Sequence, residues 1–291
     1  MTQTLLSFGH GYSARALARI LLARGWHITG TTRKPERAQT FQAEGTKPLI
    51  WPGEDTSAAL KTATHLLISA GPDAAGDPVL ARIKDEIAAA AHQFVWVGYL
   101  STTGVYGDHA GGWIDESTPL TPTTERGRMR VMAESQWQAL ADETGLPLHI
   151  FRLAGIYGPG RGPFAKVRDG TARRIVKPGQ VFSRIHVDDI ARVLAASIDR
   201  PEPGAVYNVC DDDPAPPEDV IEHAAVLLSL PVPPAESFDT AELSAMARSF
   251  YCESKRVRND RIKRDLGVAL KYPTYRDGLR ALLEREKPEA T

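Results

Sequence analysis

Residues 4–25 read TLLSFGHGYSARALARILLARG, and their periodicity changes once, at Gly9. Before it stands a short β-prone run ending on Phe8. Beyond it, Ala14, Leu17, Ala18 and Leu21 recur at helical spacing along one face, while Arg15, Arg19 and Arg24 lie off that face. The spacing predicts a helix from Ser13 to Arg24, with Gly25 placed to end it. The junction GHGYSA puts Gly9, Gly11 and Ala14 in the pattern G-x-G-x-x-G/A, and the parts are separable. Gly9 permits a tight turn, Gly11 lets the backbone approach a pyrophosphate, and Ala14 keeps helix and strand close. Tyr12 and Ser13 fall in the first helical turn, whose free N–H groups attract an anion. A glycine turn without a ligand is the alternative. The strand before and the amphipathic helix after favour a dinucleotide site.

Outward from this unit the alternation continues. HITGTT (27–32) is a second strand, followed by a helical stretch from Pro35 to Glu44. Further strands are expected at Pro48–Trp51, His65–Ser69, Phe94–Ser101, Leu148–Ala154 and Ala205–Cys210. Helices are expected at Pro78–Ala91 and Glu125–Thr144. Strands alternating with longer helices imply an α/β, Rossmann-type doubly wound parallel sheet. After Tyr157 the alternation loosens and proline-rich connections appear, PAPPEDV and PVPPAESF. The expected division is a nucleotide-binding domain over 1–155 and a smaller, mostly helical C-terminal part over 156–291. The last sheet elements, about 184–212, are interleaved with that part, which a helix near Tyr275–Glu286 closes.

The chain has 291 residues, with 35 Lys plus Arg against 36 Asp plus Glu. A formal charge of -1 gives no global field for nucleic acid or an anionic membrane, so neither is expected as a partner. The two cysteines, Cys210 and Cys252, lie far apart and form no CxxC, which points to a reducing compartment without structural zinc. No apolar stretch approaches the roughly 18 residues of a membrane span, and the N-terminus lacks a basic start before an apolar run. A cytoplasmic location is expected.

Cofactor choice is read at the end of the second strand, where an acid selects NAD by bonding the ribose 2′-OH. Here the sequence is GTTRKPER, and Arg33 and Lys34 suit a 2′-phosphate. NADP is therefore expected, with NAD as the alternative. HVDD (186–189) suggests a helix cap by Asp188 or Asp189 rather than a metal cluster, for the helix carrying Ile190, Val193, Leu194 and Ile198. No H-E-x-x-H or G-x-S-x-G motif occurs, and no metal site is expected.

Several further segments, in order, are LSTTGVYGD (100–108), DESTPLTP, FRLAGIYGPGRGPF (151–164), RIHVDDIA (184–191) and YNVCDD. With GHGYSA they resemble the extended and atypical branches of the short-chain dehydrogenase/reductase superfamily, in particular an uncharacterised bacterial subgroup of NAD-dependent epimerase/dehydratase-like proteins. The resemblance implies a cofactor-binding Rossmann domain and a C-terminal part that shapes a substrate pocket, often for nucleotide sugars. It implies cofactor contacts at Ser69, Ala70 and Gly71 after the fourth strand and at Tyr157. It also implies a homodimer through the helices at Pro78–Ala91 and Glu125–Thr144.

Catalysis in the family rests on a Ser or Thr after the fifth strand and a Tyr-x-x-x-Lys pair on the next helix. The resemblance places Thr102 at the hydroxyl position. The helix departs from the pattern: TERGRMRVMAE (124–134) carries Arg126 and Arg130 where the pair belongs, with Glu134 following. A guanidinium with a pKa above about 12 moves no proton near neutral pH, but it holds carboxylates and phosphates by paired hydrogen bonds. Arg161, Lys166, Arg168, Arg173, Arg174, Lys177 and Arg184, against the single acid Asp169, add positive charge along 161–184. A small anionic substrate, sugar nucleotides among the options, is expected. Proton transfer would then need another group, and Tyr106 and Tyr157 are the candidates if nearby cations lower their phenols. Two readings follow: an NADP-dependent oxidoreductase or epimerase/dehydratase-like enzyme with a remodelled site, or a catalytically silent NADP(H) sensor.

Overall fold

The structure is a computed structural model and describes residues 3–286. In chain order the first half contains β1 (Thr4–Phe8), α1 (Tyr12–Ala23), β2 (His27–Thr32), α2 (Ala38–Ala43), β3 (Lys47–Ile50), α3 (Ser57–Thr62), β4 (His65–Ile68), α4 (Leu80–Ala89) and β5 (Trp96–Thr102). Then come β6 (Trp113–Ile114), α5 (Glu125–Thr144), β7 (Leu148–Leu153), β8 (Gly155–Tyr157), α6 (Phe164–Arg168), β9 (Arg174–Val176), β10 (Arg184–His186), α7 (Val187–Asp199) and β11 (Val206–Val209). The chain ends through α8 (Pro217–Leu227), β12 (Ala235–Ser237), α9 (Ala245–Phe250), β13 (Arg256–Val257), α10 (Asp260–Arg264) and α11 (Tyr275–Glu286).

Seven of these strands form one parallel sheet in the order β3-β2-β1-β4-β5-β7-β11. The order reverses between β1 and β4, and at such a switch point the connections diverge and leave a crevice beyond the strand ends. Successive side chains on a strand face opposite ways. Thus Leu5 and Leu67 pack into the core beneath α1 and α7, while Leu6, Phe8, Leu66 and Ile68 pack into the other core, beneath α4 and α5. Burial on both faces explains the nearly continuous apolar runs of these strands. A third cluster, including Tyr157, Phe164, Val220, Tyr275, Leu279 and Leu282, holds the C-terminal helices together.

The doubly wound sheet matches the sequence reading, and α5 and α11 occupy the expected ranges. Pro78–Ala91 is shorter and broken. Asp77 accepts hydrogen bonds from the Val79 and Leu80 amides ahead of α4, Ile83 leaves helical geometry, and a 3-10 turn covers Ala91–Gln93. The expected helix over Pro35–Glu44 begins as a 3-10 turn, Pro35–Arg37, before α2. Among the described residues no helix is long and apolar enough to cross a membrane.

Candidate functional site

The site begins where β1 turns into α1. Gly9 has φ +74°, and a Cβ there would lie 2.7 Å from the Ala70 backbone nitrogen, so both conformation and the neighbouring strand end require glycine. Its amide donates to Thr31 Oγ1 (2.9 Å) and the His10 amide donates to Thr31 O (2.9 Å), which ties the turn to β2. The His10 ring occupies the space a Cβ on Gly30 would need. Burial pulls its imidazole down to about 4, so it is neutral filling beneath the loop.

Gly11 differs from Gly9. A Cβ on it would meet only Gly9 O, at 3.6 Å, so the space above it is open. Gly11 is also the N-cap of α1 and supplies no side-chain cap, and the first turn carries no acid. The first amides of a helix have no carbonyl partners within it. Here they face the crevice at the sheet's switch point with a partial positive charge, an arrangement that fits the pyrophosphate of a dinucleotide. Tyr12 and Ser13 open the helix, Ser13 lines the cleft, and Ala14 is fully buried against the sheet. Ser69 and Gly71, just past β4, line the same cleft, and the Ala70 backbone packs on Gly9. Arg33 and Lys34 are exposed immediately beyond β2, and Lys34 lies 4.0 Å from Glu36.

The cleft, about 980 Å³, runs from this loop past the end of β5 to the C-terminal part. Thr102 and Arg130 both line it. The Thr102 hydroxyl accepts from the Gly104 amide (3.2 Å). Thr124 caps α5 by accepting from the Gly127 amide (3.1 Å). A Cβ on Gly127 would come within 2.8 Å of Gly104 O and of Pro122 Cβ. The missing side chain lets α5 lie directly on the 3-10 turn Thr103–Tyr106 and brings its first two turns to the cleft. Arg126 and Arg130 both reach it. Arg130 Nη1 donates to Tyr99 Oη (3.0 Å) and Leu100 O (2.9 Å), and the Arg126 guanidinium lies 5.1 Å from the Phe250 ring centroid. Among the described residues, neither arginine is ion-paired with a carboxylate.

One turn beyond Arg130, Glu134 is buried against Arg152, which donates through Nη2 (2.8 Å) and Nε (3.2 Å). Ser101 Oγ also donates to Glu134. Arg152 donates onward to Tyr106 Oη (2.8 Å), which donates to Asn208 Oδ1 (2.8 Å). This chain of bonds joins α5, β5, β7 and β11 behind the cleft. The condition set for Tyr106 as a proton donor, a phenol lowered by nearby cations, is not what this geometry offers: its hydroxyl is committed, it is absent from the cleft lining, and burial pushes its phenol up to about 12 despite Arg152. Tyr157 does line the cleft, but its hydroxyl packs over Gly278, 3.5 Å from Thr274 O, and burial holds its pKa far above the usual range. Neither tyrosine is primed to ionise.

The basic run 161–184 divides in two. Arg168, Arg173 and Arg174 pair with Glu286, Glu236 and Glu222, and Lys177 donates to Tyr251 O. Only Arg161, Lys166 and Arg184 of that run line the cleft. Two residues invisible to sequence reasoning join them. Lys255 donates to Glu253 Oε2 (2.8 Å) and to Gly107 O, and Glu253 accepts from Thr123 Oγ1 (2.6 Å). Among the described residues the lining therefore carries Arg126, Arg130, Arg161, Lys166, Arg184 and Lys255 against one carboxylate, Glu253, already paired. Such a surface favours an anion.

HVDD is structural in an unexpected way. His186, not an aspartate, caps α7, its Nδ1 accepting from the Asp188 amide (3.1 Å). Asp189 is buried and accepts from the amides of Lys271 (2.7 Å) and Tyr272 (2.9 Å), and Asp188 pairs with Arg285 (2.8 Å). The two acids fasten the C-terminal part to α7. No cluster of three or more His, Cys, Asp or Glu suited to a metal ion occurs among the described residues.

The model of the NAD dependent epimerase/dehydratase family matches residues 80–210. A solved structure of a functionally unknown conserved protein from Silicibacter pomeroyi DSS is 66% identical, covers 98% of this chain and 100% of its own, and gives a TM-score of 0.93. UDP-glucuronic acid 4-epimerase from Bacillus cereus, solved with NAD, shares the fold: TM-score 0.78 at 17% identity, over 97% of this chain and 96% of that one. A 3-diazoavenalumate denitrifying reductase from Streptomyces sp is 28% identical over 181 residues, 57% of this chain and 58% of that protein.

Proposed function

We propose that this chain, whose residues 80–210 match the NAD dependent epimerase/dehydratase family, binds NADP(H) and acts as an oxidoreductase or epimerase/dehydratase-like enzyme on a small anionic substrate. The observation that carries the reading is the uncapped start of α1 over the open space at Gly11, continuous with a cation-lined cleft. A bound nicotinamide would supply hydride transfer. The Gly9–Ala14 turn would hold the pyrophosphate, with Ser69 and Gly71 along its path. Arg33 and Lys34 would take a 2′-phosphate, since β2 ends on Thr32 without an acid. Arg126 and Arg130 would orient the anionic group, and Thr102 a carbonyl or hydroxyl.

Calorimetric titration tests the cofactor assignment. NADPH is expected to bind more tightly than NADH, and Arg33→Ala to shrink that preference about tenfold through loss of a charge-assisted pair. An unchanged ratio of affinities removes the assignment to NADP.

One observation favours a second reading, the sensor. With arginines at the Tyr and Lys positions, and with burial raising the phenols of Tyr106 and of the two tyrosines that line the cleft, Tyr157 and Tyr275, no tyrosine of the cleft is primed as an acid/base among the described residues. A screen of anionic sugars, sugar nucleotides and aldehydes for NADPH oxidation separates the two readings. Tight NADPH binding with no turnover across the screen supports the sensor.

A further inference from the structure

The part of the cleft lining that the C-terminal elements contribute has a different chemistry. Val181, Phe182, Val220, Ile221, Phe250 and Leu279 make it largely apolar. Two of its polar groups are committed to the protein: Ser183 Oγ accepts from the Val257 amide (3.0 Å), and Arg184 Nη1 donates to Phe182 O (2.8 Å) and Ala215 O (2.9 Å), while the buried Tyr275 hydroxyl has no partner among the described residues. A ligand rich in hydroxyls would find few partners along the apolar stretch from Val181 to Phe182 and from Val220 to Ile221. A flat apolar ligand would not.

Phe250 is the most telling member. It ends α9, and the next residue anchors that end: the Tyr251 ring packs 5.9 Å from Phe182 and 5.1 Å from Phe238. Phe250 is left lining the cleft, 53% exposed, with Arg126 over its ring. A phenyl group that exposed gains free energy from anything that covers it. The guanidinium beside it has no carboxylate partner among the described residues.

We propose that the substrate subsite accepts a planar aryl carboxylate, its ring packed on Phe250 and the apolar wall and its carboxylate held by Arg126, with Arg130 one turn away. This deepens the proposed function and rests on its reading of the cleft as the substrate site. It commits that site to a flat aromatic acid in preference to a nucleotide sugar.

Binding of 2-naphthoate, its neutral amide, saturated decahydro-2-naphthoate and UDP-glucuronate should be measured by calorimetry, with and without saturating NADPH. The expected result is that 2-naphthoate binds about tenfold or more tightly than the amide and the saturated acid. Phe250→Ala is expected to weaken it about tenfold, Phe250→Tyr to retain it, and Arg126→Ala to abolish the advantage over the amide. Phe250 and Arg126 are exposed, so circular dichroism should show folded variants. Preferential binding of UDP-glucuronate, no binding of 2-naphthoate, or indifference to Phe250→Ala overturns the proposal. If NADPH fails to bind, the cofactor reading fails by itself, and the naphthoate series without cofactor still decides this one.

Discussion

At the scale of single residues, the site separates charges that face the cleft from charges that hold the fold. Arg130 and Glu134 are one turn apart on α5, yet Arg130 lines the cleft while Glu134 is buried with Arg152. Removing one member of a buried pair strands the other charge, at a typical cost of about 3–5 kcal/mol. Glu134→Gln is therefore expected to lower stability in urea denaturation by about that much, and Glu134→Leu combined with Arg152→Met to recover most of it. Equal losses for the single and double variants would show that the pair is not the reason. A second buried acid, Asp211, reads out by pH. Burial raises its carboxyl to about 8, against the opposing pull of Arg184. The folded state thus keeps a proton that the unfolded state releases, and stability falls as pH rises toward 8. Asp211→Asn should flatten the thermal midpoint between pH 6.5 and 8; an unaltered slope there would assign it to other groups. The arginines at 126 and 130 were legible in the sequence because they break a family pattern. Glu253, Lys255 and Phe250 were not, since tertiary folding alone brings a segment more than a hundred residues away over the start of α5.

At the scale of elements, legibility followed length and punctuation. The long helix α5 was readable over its full range and α11 close to its own; Thr124 caps the first and Gly145 ends it in the left-handed conformation. The strands β6, β8, β9, β10, β12 and β13 have two or three residues each, too few to show alternation. PAPPEDV looked like a connection, but its last proline opens α8, with Glu218 and Asp219 in the first turn. Proline at that position gives up an amide that would be unpaired anyway. The HVDD cap was misassigned because Asp188 and Asp189 lie inside α7, and the atom that accepts the cap bond belongs to His186. The α1 start follows the opposite logic. Its N-cap is a glycine and its first turn lacks acids, so it forgoes self-capping and stays open to an external anion.

At the scale of the whole molecule, two cores on either side of one sheet and a third beneath the C-terminal helices enclose four histidines whose pKa falls to about 4 through burial: His10, His65, His149 and His186. Each is neutral when folded and takes a proton when unfolded below 6.5, so stability is lost as pH falls from 6.5 toward 4. Four such groups outweigh the carboxyls that burial raises, Asp211 strongly and Asp77, Glu116, Asp189 and Glu218 less so, in that window. The thermal midpoint is expected to drop steeply below pH 6.5, and a flat profile from 6.5 to 5 would contradict the burial of these rings. The doubly wound architecture was legible because a parallel sheet covered on both faces needs continuous apolar strands alternating with amphipathic helices. The placement of the C-terminal part was not, since it depends on single contacts such as those of Asp189 with the Lys271 and Tyr272 amides.

Cofactor binding as proposed needs an anion held by the amides that open α1. Gly11 has φ -99° and open space where a side chain would stand, so Gly11→Asp can fold without strain and can cap the helix itself. Calorimetric titration of NADPH into the wild-type protein and Gly11→Asp is the direct measurement. The predicted result is binding to the wild type, a variant at least as stable to heat, and affinity in that variant reduced by about a hundredfold or more as its carboxylate fills and repels the pyrophosphate site. Equal affinity in the two proteins, or no heat from the wild type with either NADPH or NADH, would contradict it.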